Sequence, residues 1–124
     1  MSNVASILIV EDERIIAEDL KRKLCRLGYA VSAIVASGLA AIDHVVATRP
    51  DLILMDLGLR GEMDGLQTAQ SLRERCNIRV VFVTAHADDA TRARAESAQP
   101  LGYLLKPFDQ EELQHVLEHA LESV

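Results

Sequence analysis

Three runs of the chain, Ile7-Leu8-Ile9-Val10, Leu52-Ile53-Leu54-Met55 and Val80-Val81-Phe82-Val83, are apolar at every position. A strand with one solvated face alternates apolar and polar residues, so strands apolar on both sides belong between two covering layers. Tyr103-Leu104-Leu105 is a shorter run of the same kind. Tyr29 to Val35 alternates more and reads as an edge strand.

Segments with helical spacing lie between these runs. Ile16, Leu20, Leu24 and Leu27 mark the first, with Lys21, Arg22, Lys23 and Arg26 on its other side and Gly28 as its stop. Leu39, Ile42 and Val46 mark the second, which Pro50 keeps from running on. Leu66, Ala69 and Leu72 mark the third. Leu113, Val116, Leu117, Ala120 and Leu121 mark the fifth, where Asp109 and Glu112 are spaced as a capping box. The fourth, Asp88 to Ala98, has an apolar side made almost wholly of Ala90, Ala93, Ala95 and Ala98. It buries little area and is expected to be loosely held, either as simple weak packing or as a mobile element.

Strands alternating with helices over short connections imply a parallel sheet with right-handed crossovers and helices on both faces. With 124 residues and no internal linker, one domain over residues 1–124 is expected. The fold class is α/β: a doubly wound five-stranded parallel sheet, (βα)5, in the flavodoxin-like order 2-1-3-4-5. The ligand crevice of that order lies at the carboxyl ends of the first and third strands.

Strand order decides which polar residues meet. The first strand ends in Glu11 and Asp12, the third in Asp56, the fourth in Thr84 and the fifth in Lys106. Three carboxylates brought together repel one another unless a cation joins them. Oxygen donors without nearby Cys or His suit Mg²⁺ better than Zn²⁺. Such an ion would neutralise an incoming phosphoryl group, with Lys106 as a fixed charge and Thr84 as a hydroxyl donor. Taken singly, each of these residues is as readily structural: an acidic helix start, a loop cap, a strand end.

The set Ile7–Val10 with Glu11-Asp12, Leu54-Met55-Asp56, Asp64-Gly65, Val83-Thr84-Ala85 and Tyr103-Leu104-Leu105-Lys106-Pro107-Phe108 resembles response-regulator receiver domains across the whole chain. The resemblance implies that Asp56 is the phosphoacceptor, that Glu11, Asp12 and Asp56 bind Mg²⁺ together with the Gly58 carbonyl, and that Lys106 contacts the phosphoryl oxygens. It also implies a switch pair of Thr84 and Tyr103 and a cis Lys106-Pro107 bond. The donor would be a sensor histidine kinase or a phosphotransfer protein. The output would be a domain or partner reached through the fourth helix, fifth strand and fifth helix, a face that also suits a homodimer. That face carries Arg92, Arg94, Glu96, Asp109, Glu111 and Glu112. The expectation is a signalling switch and not an enzyme.

The segment Leu57-Gly58-Leu59-Arg60-Gly61-Glu62-Met63 departs from the common Met-Pro pattern and is expected to be longer and more flexible. Gly58 leaves phosphorus unshielded, and His86 either tunes dephosphorylation or faces solvent. A net charge of -6 disfavours direct nucleic-acid binding. Cys25 and Cys76 read as reduced thiols, and no run is long enough for a signal peptide or membrane span, so a cytoplasmic location is expected. A haloacid-dehalogenase-type hydrolase or a Toprim nuclease would need a second aspartate where Gly58 stands. A flavin binder would need a small-residue phosphate loop where Glu11-Asp12-Glu13 stands. A receiver fold that binds a partner without phosphorylation is the remaining rival.

Overall fold

The structure, a computed structural model, describes residues 4–59, 61, 63–85 and 88–122. These residues form β1 (Ser6–Val10), α1 (Arg14–Arg26), β2 (Ala30–Val35), α2 (Gly38–Thr48), β3 (Leu52–Asp56), α3 (Gly65–Cys76), β4 (Arg79–Thr84), α4 (Asp89–Ala95), a 3₁₀ turn (Glu96–Ala98), β5 (Gly102–Leu105) and α5 (Gln110–Glu122). The sheet has the order β2-β1-β3-β4-β5, with parallel pairing throughout. This is the expected flavodoxin-like α/β arrangement.

The apolar runs divide by alternation into two cores. Ile7, Ile9, Leu52, Leu54, Val81, Val83 and Leu104 face α1 and α5, meeting Leu20, Leu24, Leu113 and Leu117. Leu8, Val10, Ile53, Met55, Val80 and Phe82 face the other way, against Ala41, Ile42 and Val45 of α2, Ala69 and Leu72 of α3, and Ala95 and Ala98. Successive side chains of a strand point to opposite faces, so a run apolar at every position feeds both cores at once. Central β3 is buried along its whole length, whereas β2 at the edge is only partly covered.

Helix ends follow local chemistry. Gly28 takes φ +92 just past α1. Ser37 caps α2 through the Ala40 N–H at 3.1 Å. Asp64 and Gln67 form a reciprocal capping box on α3. The Asp109–Glu112 box expected at α5 is present, with bonds of 2.8 and 3.3 Å.

Two helix faces differ from expectation. In α2 the inward residues are Gly38, Ala41, Ile42 and Val45, while Leu39 and Val46 are exposed. The helix turns its small residues inward because it packs tightly on α3: a Cβ added at Gly38 would collide with the buried Thr68 Oγ1, whose hydroxyl donates to the Asp64 carbonyl at 2.8 Å. In the fourth segment Ala95 and Ala98 are buried, but Ala90 and Ala93 are exposed. Seven residues of α-helix are too few to carry an apolar stripe over several turns.

Gly38→Ala is therefore expected to destabilise the protein by about 1–3 kcal/mol through overpacking. Adding Thr68→Ala, which removes the colliding hydroxyl, should give a double variant less destabilised than the sum of the two singles. Urea denaturation checks both; additive losses would show that the two helices are not in close contact at this point.

Candidate functional site

The winding direction reverses between β1 and β3, and the acidic residues stand there. Glu11 follows β1 and extends the sheet, its N–H bonding the Val35 carbonyl at 3.0 Å. Asp56 is the last residue of buried β3, and the next residue stays in the ladder through Leu57 N–H to the Val83 carbonyl at 3.0 Å. Thr84 closes β4, and Lys106 follows β5 with its N–H on the Thr84 carbonyl at 2.7 Å. These side chains are held by backbone that continues the sheet, which fixes their positions.

Carboxylate oxygens of Glu11, Asp12 and Asp56 lie within 4.8 Å of one another. Glu11 and Asp56 are 4% and 6% exposed, so their charges sit where solvent screens them poorly, while Asp12 is more open. The Lys106 ammonium donates to Glu11 Oε1 at 2.9 Å and to Asp56 Oδ1 at 3.5 Å. Glu11 Oε2 accepts the Glu13 N–H at 3.2 Å, and Asp56 Oδ1 accepts the Gly58 N–H at 2.9 Å. Asp12, Glu13, Asp56, Gly58, Thr84, Ala85 and Lys106 line an open cleft of about 540 Å³. A larger hollow of about 770 Å³ lies at the opposite end of the sheet, where Arg49, Arg73 and Arg79 mix with Asp51 and Glu96.

The electrostatics follow from crowding. Burial pushes the Glu11 carboxyl up; the Lys106 and Glu13 hydrogen bonds pull it back, and nearby Asp56 adds to the rise. Burial works against the Lys106 charge too, but the Glu11 hydrogen bond and the charges of Asp56 and Glu11 outweigh it, so the ammonium is held above its ordinary range. The two shifts agree with a cleft that has negative charge in excess: it favours a cation and disfavours one more anion.

All the expected site residues within the described chain gather here except Tyr103, which lies one step behind. It pairs with Phe82 across β4 and β5, with ring centroids 6.1 Å apart. Phe82 and Thr84 share a sheet face by alternation, so Tyr103 stands on the same side as Thr84 and toward α4. The Lys106-Pro107 bond is cis. In the segment after Asp56, Leu59 is buried at 3% exposure and Met63 packs on the core. Arg60, Glu62 and His86 lie outside the described residues.

Sequence reasoning gave no role to Gly65. A Cβ there would run into the carbonyl of Asp56, so the start of α3 rests directly on the backbone of the central aspartate. The Asp-Gly spacing carried that signal. Arg92 and Glu96, which bracket Tyr103, were visible only as charges on a helix face.

A doubly wound α/β domain with three carboxylates and a lysine in the switch-point crevice defines the class. The sequence matches the response regulator receiver domain family over residues 7–118. It is 37% identical over 109 residues to the transcriptional regulatory protein YvrH of Bacillus subtilis, covering 88% of this chain and 46% of that protein. In structure it is similar to the signal receiver domain of a modulated diguanylate cyclase from Desulfovibrio desulfuricans, with TM-score 0.89, 37% identity, and coverage of 96% and 94%. It is also similar to the receiver domain of sensor histidine kinase PA1611 from Pseudomonas aeruginosa, which has a magnesium ion coordinated in the active-site cleft. There the TM-score is 0.87, identity is 32%, and coverage is 97% and 99%. The chain belongs to the response regulator receiver domain family, a module of two-component signalling. It spans about half the length of the curated relatives it matches. No helix among the described residues is long and apolar enough to cross a membrane.

The raised Glu11 carboxyl gives a pH signature. Its contribution to stability is fully present below the unfolded carboxylate pKa, near 4.5, and is lost as pH rises through the raised folded value. Glu11→Gln should therefore be more stable than the parent at pH 7 in buffer free of divalent cations. The advantage should disappear below pH 4.5. Thermal melts across this range check the sign, and a variant less stable at pH 7 would mean that the Lys106 pair outweighs burial.

Proposed function

We propose that Asp56 accepts a phosphoryl group from the phosphohistidine of a sensor histidine kinase or a phosphotransfer protein. The supporting observation is the convergence of the Glu11, Asp12 and Asp56 carboxylates with the Lys106 ammonium in one open cleft. An Asp56 carboxylate oxygen attacks phosphorus, the phosphorus–nitrogen bond of the donor breaks, and the imidazole leaves with the electron pair. Lys106 and the Thr84 hydroxyl then hold the transferred oxygens. The Gly58 N–H on Asp56 Oδ1 orients the carboxylate and leaves Oδ2 for the attack.

Glu11, Asp12, Asp56 and the Gly58 carbonyl would hold Mg²⁺, and their hard oxygen donors fit it, with no thiolate or imidazole among them. When bound, the ion supplies charge neutralisation between the carboxylates and the phosphoryl oxygens. Without a cation the cleft repels a phosphoryl group, which is the physical reason for a metal requirement.

Thr84 and Tyr103 form the switch pair: the hydroxyl moves toward the phosphoryl oxygens, and the ring follows behind it. The altered face of α4, β5 and α5 then meets an output domain or partner, or a second copy of the chain. The half-length match to relatives named as transcriptional regulators supports an output unit elsewhere in a longer protein. The chain turns over no substrate beyond its own phosphorylation and dephosphorylation, and a kinase donor places it in the cytoplasm. Gly58 and the small Ala85 leave the cleft open, which favours a short-lived acyl phosphate; His86, two positions after Thr84 in the sequence, is the residue proposed to modulate that lifetime.

Incubation with acetyl phosphate and Mg²⁺, read by intact mass, should give one phosphate adduct in the parent and none in Asp56→Ala or when the ion is chelated. An adduct that persists in Asp56→Ala, or none in the parent, overturns the assignment. The latter result would favour the partner-binding rival.

A further inference from the structure

Tyr103 is gripped from α4 in a way the switch pair alone does not require. Its hydroxyl donates to Glu96 Oε1 at 2.9 Å, and the Arg92 guanidinium carbon lies 4.8 Å from its ring centre. Arg92 and Glu96 are four residues apart, one helical turn, so both reach the same spot on the helix face. Phe82 backs the ring from the sheet at 6.1 Å. The phenol is thus held at three points: the ring from above and behind, and the hydroxyl at its tip.

The position of Glu96 matters. It opens the 3₁₀ turn that follows α4, where the chain tightens before β5. Around it the packing is thin, because α4 and the turn bury only Ala95 and Ala98. Among the described residues, polar contacts that tie this segment to its neighbours include the Tyr103 grip and Gln70 Nε2 of α3 to Ser97 Oγ at 2.6 Å. Where buried area is small, a charge-assisted hydrogen bond and a cation–π contact carry a large share of the holding energy. Burial, and after it the hydrogen bond and charge of Glu96, push the Tyr103 phenol up to about 12, so the hydroxyl keeps its proton and remains a donor at any physiological pH.

We propose that Glu96 and Arg92 are positioning residues that latch Tyr103 to α4 and oppose its movement behind Thr84, thereby setting how much phosphoryl binding is needed to switch the domain. This rests on the reading of Thr84 and Tyr103 as the switch pair. A latch present in one state and absent in the other biases the equilibrium by its own free energy, and linkage carries that bias to the phosphoryl site. Releasing it raises the inward population before phosphorylation and tightens binding of a phosphoryl mimic at Asp56. Glu96 and Arg92 touch neither the cleft nor its ligands, so a change in affinity there reports the conformational equilibrium.

The chain has two tyrosines and no tryptophan, so Tyr29→Phe leaves Tyr103 as the single tyrosine. In that background, 3-fluorotyrosine labelling gives one ¹⁹F signal, followed as beryllium fluoride with Mg²⁺ is titrated in. Glu96→Ala should move the starting signal toward its saturated position and lower the half-saturating concentration about three- to tenfold, the worth of one net hydrogen bond. Arg92→Ala should move both in the same direction by less, and Glu96→Gln, which keeps a neutral acceptor, should fall between Glu96→Ala and the parent. If the parent signal moves on saturation but Glu96→Ala changes neither quantity, the latch is refuted and the switch pair stands. If the parent signal stays still while fluoride binding at Asp56 saturates, Tyr103 is not the switch and both readings fall.

Discussion

Two buried carboxylates and a third beside them share one lysine, and this imbalance organises the rest of the molecule. Lys106 reaches both Glu11 and Asp56, yet one ammonium cannot neutralise three acids. At separations below 5 Å in poorly screened surroundings, residual repulsion between like charges amounts to several kcal/mol. The fold has to impose this arrangement from outside. It does so by placing each group on backbone already committed to the sheet: after β1, at the end of β3, and after β5. A cation entering the cleft would relieve this repulsion.

The packing around Asp56 shows how firmly it is imposed. Central β3 is buried from Leu52 to Asp56, and the ladder continues past it through Leu57. Gly65 brings the start of α3 against the Asp56 carbonyl, where any side chain would collide. The aspartate is thereby gripped along its backbone and through Oδ1, which accepts the Gly58 N–H and the Lys106 ammonium.

Strand order and site composition were legible in the sequence for the same reason. Runs apolar at every position admit few environments, and a doubly wound sheet then dictates that Glu11, Asp12, Asp56, Thr84 and Lys106 meet. The cis Lys106-Pro107 bond and the Asp109–Glu112 box were legible from short-range chemistry or family resemblance. The facing of α2 was not. Leu39 and Val46 look like core positions on hydropathy alone, but close packing of Gly38 on Thr68 rotates the helix so that small residues face inward. Helix–helix distance depends on two segments at once, and no single-segment periodicity contains it. The Tyr103 grip escaped for a related reason: Arg92 and Glu96 gain meaning only when β5 is known to lie beside α4.

The helices on the two faces of the sheet differ in how much apolar side chain they bury. On one face α1 and α5 bury Leu20, Leu24, Leu113 and Leu117, each a full side chain of apolar area. On the other, α2 buries Ile42 and Val45 and α3 buries Leu72, but α4 and its 3₁₀ turn offer only Ala95 and Ala98. Glu11 and Asp12 follow β1 and lead into the firmly packed α1. Thr84 ends β4, and the next helix along the chain is the weakly packed α4. Displacing a helix costs roughly the apolar area it uncovers, and α4, with Ala95 as its buried residue, is held with little of it. Beside that alanine packing, polar contacts join this segment to its neighbours at Tyr103 and Ser97.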